Sequence, residues 1–348
     1  MSRGSIVLAA SVALGAMALS AAGCSKQDKA AVGESGSAVD KADKVRLQLK
    51  WMTQAQFAGY YAAKAKGFYT EEKLDVSVLP GGPDIVPEQV VAGGGAEFGI
   101  DWLPSLLSAR EQGTPLVNIA QVYQHSGMRE VSFKTAGIKT PADLKGKKVA
   151  VWFGGNEFEL LATLDKYGID RNKDVTLVQQ PFDMNLLVTK QVAAAAAMTY
   201  NEYKQVLDTG VKPEELSLID FNEEGTAMLE DGIFAREDWL AKDPKNKDIA
   251  ARFLRASLKG WAACRDNASE CVDIVVKQSP TLGKDHQAWM MAEVNKLVWG
   301  PPAGPEPGLM DKTAFRRTAD IALKFKVIKK PAEDSAFTTE IYDLSKKK

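Results

Sequence analysis

The sequence predicts an α/β fold in which two successive sets of strands and helices each build a parallel sheet. Short apolar strands alternate with helices whose apolar residues recur at helical spacing, and this alternation is typical of parallel sheets covered by helices on both faces. The chain has 348 residues, of which 45% are hydrophobic and 26% are charged. That length suffices for two compact domains or for one large interleaved unit.

The first set of elements begins at Val45, from which apolar and polar residues alternate up to Trp51 and predict a strand. The helix that follows is expected to stop at Gly67, because glycine commonly ends helices. Proline favours the first turn of a helix, so two further helices are expected at prolines. The remaining elements of this set are strands at 75–79, 97–100 and 116–123 and helices that begin near Pro87 and Pro104.

The second set begins after Ser132, where Thr140 and Pro141 predict the N-cap and the first position of a helical segment. The alanine run at 193–197 could be helical by propensity, but it lies between two predicted helices, so we interpret it as a strand at 194–198. The other predicted elements are strands at 147–152, 175–178 and 216–219, a helix from Asn156 to Gly168, and mainly helices after Ala227, with a strand at 233–235.

The charge balance and the residue counts exclude several function classes. Lys and Arg number 44 and Asp and Glu number 45, so the net charge is −1 and no nucleic-acid partner is expected. Two histidines, His125 and His286, and three cysteines leave little material for a metal site. We therefore expect neither a metal nor a cofactor. The number of Asp and Glu residues does not exclude chemistry carried out by carboxylate groups.

Residues 1–23 predict an export signal. Arg3 precedes an apolar run from Ile6 to Leu19 that is too short to cross a bilayer as a helix. Small residues then lead to Cys24, as in the bacterial lipobox, in which the cysteine after the cleavage site carries lipid; an ordinary secretory signal with an incidental Cys24 is the alternative. Residues 24–44 would comprise this lipidated cysteine and a polar, flexible tether. The protein is then expected in the periplasm or on the outer face of the cell membrane.

Export also bears on the two remaining cysteines, because disulfides persist outside the cytoplasm. Cys264 closes one apolar helix and Cys271 opens the next, and the short turn between them could bring the two thiols together. We expect a disulfide between them; two free buried thiols are the alternative.

Candidate ligand-binding residues follow the predicted strands, because ligands of open parallel sheets bind beyond the carboxyl ends of the strands. Their mixture of aromatic rings, amides and carboxylates suits a flat heteroaromatic ligand. Glu157 and Glu159 lie in the first turn of a helix after two glycines, where they would compete with an anion for the amide donors, so a neutral or amino-bearing ring is expected. The candidates are Trp51, Gln54, Gln56, Phe57, Asp101, Trp102, Gln124, His125, Gly154, Gly155, Asn156, Glu157, Phe182, Asp183, Tyr200, Asn201 and Glu202.

Several candidates have a structural alternative to ligand contact. Trp51 and Trp102 could pack between helices, and Asp101 could cap the helix that begins near Pro104. Glu202 could stabilise the start of its helix through the helix dipole. His125 is more commonly a hydrogen-bonded loop histidine than a ligand contact.

Three segments carry a resemblance to a known family. They are LQLKWMTQAQFAGYYAAKAKGFYTEEKLDVSVLPGGPDI at 47–85, QVVAGGGAEFGIDW at 89–102 and GIKTPADLKGKKVAVWFGGNEFELL at 137–161. The chain resembles the periplasmic binding proteins named for thiamine-pyrimidine biosynthesis, the NMT1/THI5-like family, from about Val45 to Phe337. The resemblance implies a type II-like fold of two parallel-sheet lobes, at 45–130 plus 228–348 and at 131–227, joined by two crossovers near 129–134 and 228–234. Ligand would close the lobes as a hinge.

The same resemblance implies a function. Bacterial members are lipid-anchored substrate-binding proteins of ABC importers, so an ABC permease and its ATPase are implied as partners of a monomeric receptor. The ligand implied is a small heteroaromatic nutrient, foremost a thiamine pyrimidine precursor, with riboflavin, sulfonate or nitrate as alternatives. Tyr200, Asn201 and Glu202 match the cleft-facing TNE-like stretch, whereas Asp101 and Trp102 depart from the small residues common there and imply a reshaped pocket.

An enzyme and a purely signalling receptor are the other function classes. A eukaryotic branch of the family makes the pyrimidine and carries a cysteine-rich cluster, which this chain lacks. We therefore expect a binding protein and not an enzyme.

Overall fold

The computed structural model describes residues 42–153, 156–300 and 306–347. The predicted signal segment, Cys24 and nearly all of the tether lie outside these residues, as do Gly154 and Gly155. Within the described ranges, no helix is long and apolar enough to cross a membrane.

The described chain forms two lobes, each built on a five-stranded sheet. The strands are β1 (Asp43–Gln48), β2 (Leu74–Leu79), β3 (Phe98–Asp101), β4 (Leu116–Gln121), β5 (Met128–Phe133), β6 (Lys148–Val151), β7 (Thr176–Gln179), β8 (Ala194–Met198), β9 (Leu216–Asp220) and β10 (Gly232–Arg236). The α-helices are α1 (Ala58–Ala65), α2 (Phe68–Glu71), α3 (Pro87–Ala92), α4 (Leu103–Glu111), α5 (Phe158–Lys166), α6 (Asn185–Val188), α7 (Glu202–Asp208), α8 (Phe221–Glu224), α9 (Glu237–Lys242), α10 (Pro244–Asp266), α11 (Ala268–Gln278), α12 (Lys284–Trp299), α13 (Lys312–Lys324) and α14 (Glu340–Ser345).

The two sheets are mixed, so the predicted two-lobe α/β fold is confirmed but its sheets are not purely parallel. The first sheet has the order β2-β1-β3-β10-β4 and the second has the order β7-β6-β8-β5-β9. In the first, β10 runs antiparallel to both neighbours, and in the second β5 does. Each antiparallel strand is the first one that the chain enters on arriving from the other lobe. Because it does not follow an earlier strand of its own sheet through a βαβ crossover, nothing forces it to run parallel.

The chain passes between the sheets over 122–127 and again over 225–231. The first passage comes earlier than expected, because most of the segment 129–134 belongs to β5. The lobe boundaries predicted at 130/131 and 227/228 stay a prediction.

The alanine run forms β8, a strand with both faces covered, as predicted. It lies between β6 and β5, where small side chains let helices approach both faces of the sheet.

Helices α1 and α10 pack closely in the first lobe because glycine faces glycine. A Cβ at Gly59 would lie 2.2 Å from the Trp261 ring, and one at Gly260 would lie 2.0 Å from the Gly59 carbonyl oxygen. Trp261 is fully buried in this contact. Close packing of the two helices therefore requires both glycines.

Cys264 near the end of α10 and Cys271 in α11 form a disulfide, with their Cα atoms 5.4 Å apart. Both residues are buried. The bridge fixes the corner between these two helices.

Candidate functional site

A cavity of about 840 Å³ lies between the lobes and is lined by residues of both. On the first lobe it borders the carboxyl ends of β1 and β3, and on the second lobe it borders those of β6, β7 and β8. This is the location that the strand-end rule predicts. The predicted residues that line it are Trp51, Gln54, Gln56, Asp101, Trp102, Asn156, Phe182, Tyr200, Asn201 and Glu202.

Asp101 and Lys50 form an ion pair on the first-lobe wall. The Asp101 Oδ1 atom accepts hydrogen bonds from the Lys50 ammonium and, at 2.6 Å, from the Trp102 backbone N–H. Burial is the largest single influence on the pKa of Lys50 and lowers it, but the charge and hydrogen bond of Asp101, together with the charges of Glu88 and Asp231, raise it overall. Lys50 is therefore a cation whose charge is neutralised by the protein itself.

Asp231, which the sequence reasoning missed, holds the polar wall behind the cavity in place. Its two carboxylate oxygens accept hydrogen bonds from Trp102 Nε1 at 3.2 Å and from Gln56 Nε2 at 2.8 Å. Gln54 Nε2 in turn donates to Gln56 Oε1 at 2.6 Å. Burial raises the pKa of Asp231 to about 6, while the hydrogen bond from Gln56 opposes the rise. The indole and both amides are thus fixed by one buried carboxyl.

The second-lobe wall is organised around Glu202. Its carboxylate accepts hydrogen bonds from the Met198 backbone N–H at 3.1 Å and from Asn201 Nδ2 at 2.7 Å. Asn201 Oδ1 also lies 2.8 Å from His286 Nε2 on α12. Burial raises the pKa of Glu202 to about 7. Glu202 thus lies at the start of α7 and also on the cavity wall, so a role limited to stabilising the helix start does not describe it fully.

Aromatic rings of the two lobes meet at the cavity. The Trp51 and Phe182 ring centroids are 5.6 Å apart with the planes tilted by 51°. Phe182 remains 64% exposed, and the Trp152 indole N–H is held by the Pro181 carbonyl oxygen at 3.0 Å. Phe153 also lines the cavity. Trp152 and Phe153 lie at the end of β6, so the strand-end rule could have found both.

Some predicted residues do not line the cavity. Phe57 is fully buried in the first-lobe core. Gln124 donates to the backbone carbonyl oxygens of Gln121 and Leu309, and Asp183 accepts from the Asn185 backbone N–H at the start of α6. These three side chains are committed to packing or to local hydrogen bonds. The other predicted residues outside the lining are His125 and Glu157, whereas Gly154 and Gly155 are outside the described residues.

The acidic groups at the cavity outnumber the cations. Among the described residues of the lining, Lys50 is the sole cation, against the carboxyl groups of Glu88, Asp101 and Glu202. No cluster of side chains able to hold a metal ion occurs in the described parts of the chain. Carboxyl groups on this wall repel a negatively charged group to the extent that they are ionised.

Periplasmic binding proteins of known structure share this fold. The periplasmic sulfonate-binding protein SsuA of Methylobacillus flagellatus superposes with a TM-score of 0.67 at 16% identity, covering 88% of this chain and 94% of that one. The periplasmic nitrate-binding protein NrtA of Synechocystis superposes with a TM-score of 0.60 at 15% identity, covering 88% of each chain. At these identities the likeness establishes the fold alone.

Sequence comparison gives the family. The model described as NMT1/THI5 like matches residues 54–271, so the chain belongs to the NMT1/THI5-like family. A Haemophilus influenzae protein named for thiamine biosynthesis is 30% identical over 86% of this chain and 92% of its own. The riboflavin-binding protein RibY of Chloroflexus aurantiacus is 28% identical, over 85% of each chain.

More distant relatives carry both binding and enzyme names. A formylaminopyrimidine-binding protein of Halalkalibacterium halodurans is 25% identical over 67% of this chain and 69% of its own. A 4-amino-5-hydroxymethyl-2-methylpyrimidine phosphate synthase of Legionella pneumophila is also 25% identical, over 69% of this chain and 75% of its own.

Proposed function

We propose that this protein is the extracytoplasmic solute-binding component of an ABC importer and captures a small heteroaromatic nutrient between its lobes. A thiamine pyrimidine precursor is the preferred ligand. The observation that carries the proposal is the cavity wall itself: aromatic rings from both lobes frame amides and carboxyl groups, while the one lining cation among the described residues is paired with Asp101. Rings of this kind stack on a flat ligand, and the polar groups match its nitrogen atoms.

The charges argue against sulfonate and nitrate, although proteins of this fold bind them. An anion needs donors or cations that the protein has not already used. Here Lys50 is engaged by Asp101, and Trp102 Nε1 is engaged by Asp231. Glu88 and Glu202 add carboxyl groups that would repel an anion whenever they are ionised.

Riboflavin is the second candidate, and the size of the cavity favours it. Sites for small molecules usually measure about 300–1,000 Å³, and this cavity lies in the upper part of that range. A single pyrimidine ring would leave much of it to water, whereas a three-ring flavin would fill more of it. The relative named as riboflavin-binding supports the same alternative.

We infer a binding role and not catalysis, even though some relatives are named as synthases. The synthase branch that the family resemblance implies carries a cysteine-rich cluster, and this chain has three cysteines in all. Two of them form the Cys264–Cys271 disulfide and do not line the cavity.

Export, the lipid anchor at Cys24, a monomeric state and docking to a permease with its ATPase complete the proposal. They rest on the apolar segment and small residues before Cys24, on the polar stretch that follows, and on the shared fold. Cys24→Ala should move the protein from the membrane to the soluble fraction of its host. A variant that stays with the membrane would contradict lipid anchoring.

Calorimetric titration of the purified protein tests the ligand class. We expect heat of binding with 4-amino-5-hydroxymethyl-2-methylpyrimidine or with riboflavin, and none with an alkanesulfonate or nitrate at the same concentrations. Tight binding of either anion, with no response to the two heteroaromatic compounds, would overturn the proposed function.

A further inference from the structure

His286, in the first turn of α12, contacts the second-lobe wall of the cavity although it lies outside the cavity lining. The helix itself is attached to the first lobe. Its next residue, Gln287, is buried, and the Gln287 side-chain oxygen accepts a hydrogen bond from the Ala55 backbone N–H at 2.7 Å. Ala55 lies between Gln54 and Gln56, which both line the cavity. Two neighbouring side chains of α12 are therefore bonded to segments of the two opposite walls.

The bond to the second lobe fixes the side chain of Asn201. The His286 Nε2 atom lies 2.8 Å from Asn201 Oδ1. Because an amide oxygen only accepts hydrogen bonds, the imidazole nitrogen is the donor. Asn201 Nδ2 donates in turn to Glu202 at 2.7 Å, so the amide group is held at both ends. An amide nitrogen carries two hydrogens, which leaves a second N–H that can donate to a ligand.

The charged side chains of α7 beside His286 are Asp208 and Lys204, which form an ion pair with each other. Asp208 Oδ2 lies 3.9 Å from His286 Nδ1. Burial lowers the pKa of His286, the charge of Asp208 opposes this, and the charge of Lys204 adds to it. At neutral pH the ring is therefore mainly uncharged and has a single N–H group, which it donates to Asn201.

Trp289, one turn further along α12, makes a separate contact with the second lobe. Its indole N–H donates to the Thr199 carbonyl oxygen at 2.9 Å, and its ring centroid lies 6.1 Å from that of Tyr203. These contacts do not involve the imidazole of His286. Removal of that imidazole should thus leave α12 in contact with the second lobe while it frees the Asn201 side chain.

We propose that His286 is a positioning residue, which reaches from the first lobe to hold the Asn201 side chain on the second-lobe wall of the cavity for ligand binding. The inference rests on the proposed function and adds to it a residue outside the cavity lining. Without His286, Asn201 keeps its hydrogen bond to Glu202 but loses the one that fixes its oxygen. A ligand must then order a side chain that the protein no longer orders, and this weakens binding.

The experiment is a double-mutant cycle on ligand affinity. Calorimetry at pH 7 measures binding of 4-amino-5-hydroxymethyl-2-methylpyrimidine and of riboflavin to the wild type, to His286→Ala, to Asn201→Ala and to the double variant. His286→Gln keeps an amide N–H that can donate in place of Nε2. Asp285→Ala is the matched control, because it truncates the exposed preceding residue of α12, which is also outside the cavity lining.

For the compound that the wild type binds, we expect His286→Ala to weaken binding about 3- to 10-fold, corresponding to one hydrogen bond. The double variant should lose no more affinity than Asn201→Ala, since His286 has lost its acceptor once Asn201 is truncated. His286→Gln should recover most of the affinity, and Asp285→Ala should match the wild type. The variants should fold, because the His286 side chain is 24% exposed and the Asn201 side chain does not cap α7. Their thermal transitions verify this.

Three results would overturn the inference while leaving the proposed function intact. One is a His286→Ala variant that binds as tightly as the wild type. Another is a double variant whose loss of binding free energy is the sum of the two single losses, since His286 would then act independently of Asn201. The third is a His286→Gln variant as weak as His286→Ala, since the donated hydrogen bond would then not be the cause. A wild-type protein that binds neither compound overturns the proposed function, and this inference with it.

Discussion

A pair of buried carboxyl groups at the passages between the lobes should make the stability of this protein depend on pH. The Ser126 Oγ atom, on the first passage, lies 3.1 Å from Glu159 Oε2 and 2.7 Å from Glu230 Oε1, on the second passage. Glu230 Oε1 also accepts from the Gly127 backbone N–H, and Ser126 Oγ accepts from that of Met128. A hydroxyl group has one hydrogen, so it can serve only one carboxylate. The arrangement is complete when the Glu159 carboxyl is protonated and donates to Ser126, which donates to Glu230.

The magnitude follows from the protonation of Glu159. Burial raises its pKa from 4.5 to about 8, while hydrogen bonding of the ionised form with the Met228 backbone N–H and with the Ser126 hydroxyl group opposes the rise. Because the folded-state pKa lies above the unfolded one, this contribution to stability is fully present below pH 4.5 and is lost as the pH rises towards 8. At about 1.4 kcal/mol per pH unit, the interval corresponds to about 5 kcal/mol of unfolding free energy. Burial raises the pKa of Glu230 in the same direction.

Glu159→Gln isolates this effect. The amide oxygen can still accept from the Met228 backbone N–H, and the amide nitrogen can donate to Ser126 as the protonated acid does. Urea unfolding between pH 5 and pH 8 should show the wild type losing several kcal/mol more stability than the variant across that range. Buried carboxyl groups away from Glu159 affect both proteins alike and cancel in the comparison, whereas Glu230 no longer faces the charge of Glu159 in the variant, which lowers its pKa relative to the wild type. Glu214→Gln, at an exposed glutamate of the same lobe, should behave as the wild type; parallel pH profiles for the wild type and Glu159→Gln would refute the reasoning.

Two further predictions concern the mouth of the cavity and the helix corner. Trp51→Ala should weaken ligand binding by about 1–3 kcal/mol, because it removes the ring that faces Phe182. Fluorescence titration measures the affinity, and Tyr167→Ala, outside the cavity lining, is the control. Unchanged affinity would remove the stacking argument. Replacing Cys264 and Cys271 with serine should lower the unfolding free energy by about 2 kcal/mol, since the bridge closes a loop with a sequence separation of 7. Equal denaturation midpoints for the variant and the oxidised wild type would contradict this loop-closure estimate.

Elements with a strong local pattern could be predicted from the sequence, whereas β5 could not. The alanine strand β8 and the helix after Pro104 follow from neighbouring residues alone. The family resemblance implies a crossover near 129–134, where the structure has strand β5, in which Glu130 and Ser132 interrupt the apolar residues. Both are buried, and burial raises the pKa of Glu130 well above its usual range, so it favours the neutral form of an acid that the pattern places in solvent. Only tertiary packing decides that protonation state.

The sequence predicts the site residues that follow parallel strands, but it does not predict Asp231, which precedes an antiparallel strand. Trp102 and Tyr200 lie at or just after carboxyl ends of parallel strands, and both line the cavity. Asp231 precedes β10, which runs antiparallel, so its amino end is the one beside Asp101. A rule that considers only carboxyl ends passes over such a residue.

The interior position of β10 has a consequence for synthesis and export. Strand β4 can join the first sheet only through β10, which is translated after every strand of the second sheet. A nascent chain that ends before Gly232 therefore exposes two unpaired strand edges, on β3 and on β4. The second sheet, by contrast, is encoded without interruption from Met128 to Asp220 and can close while the first still waits. The late-arriving strand thus delays completion of the first sheet until the polypeptide is mostly made, which suits the export of an unfolded chain that we propose.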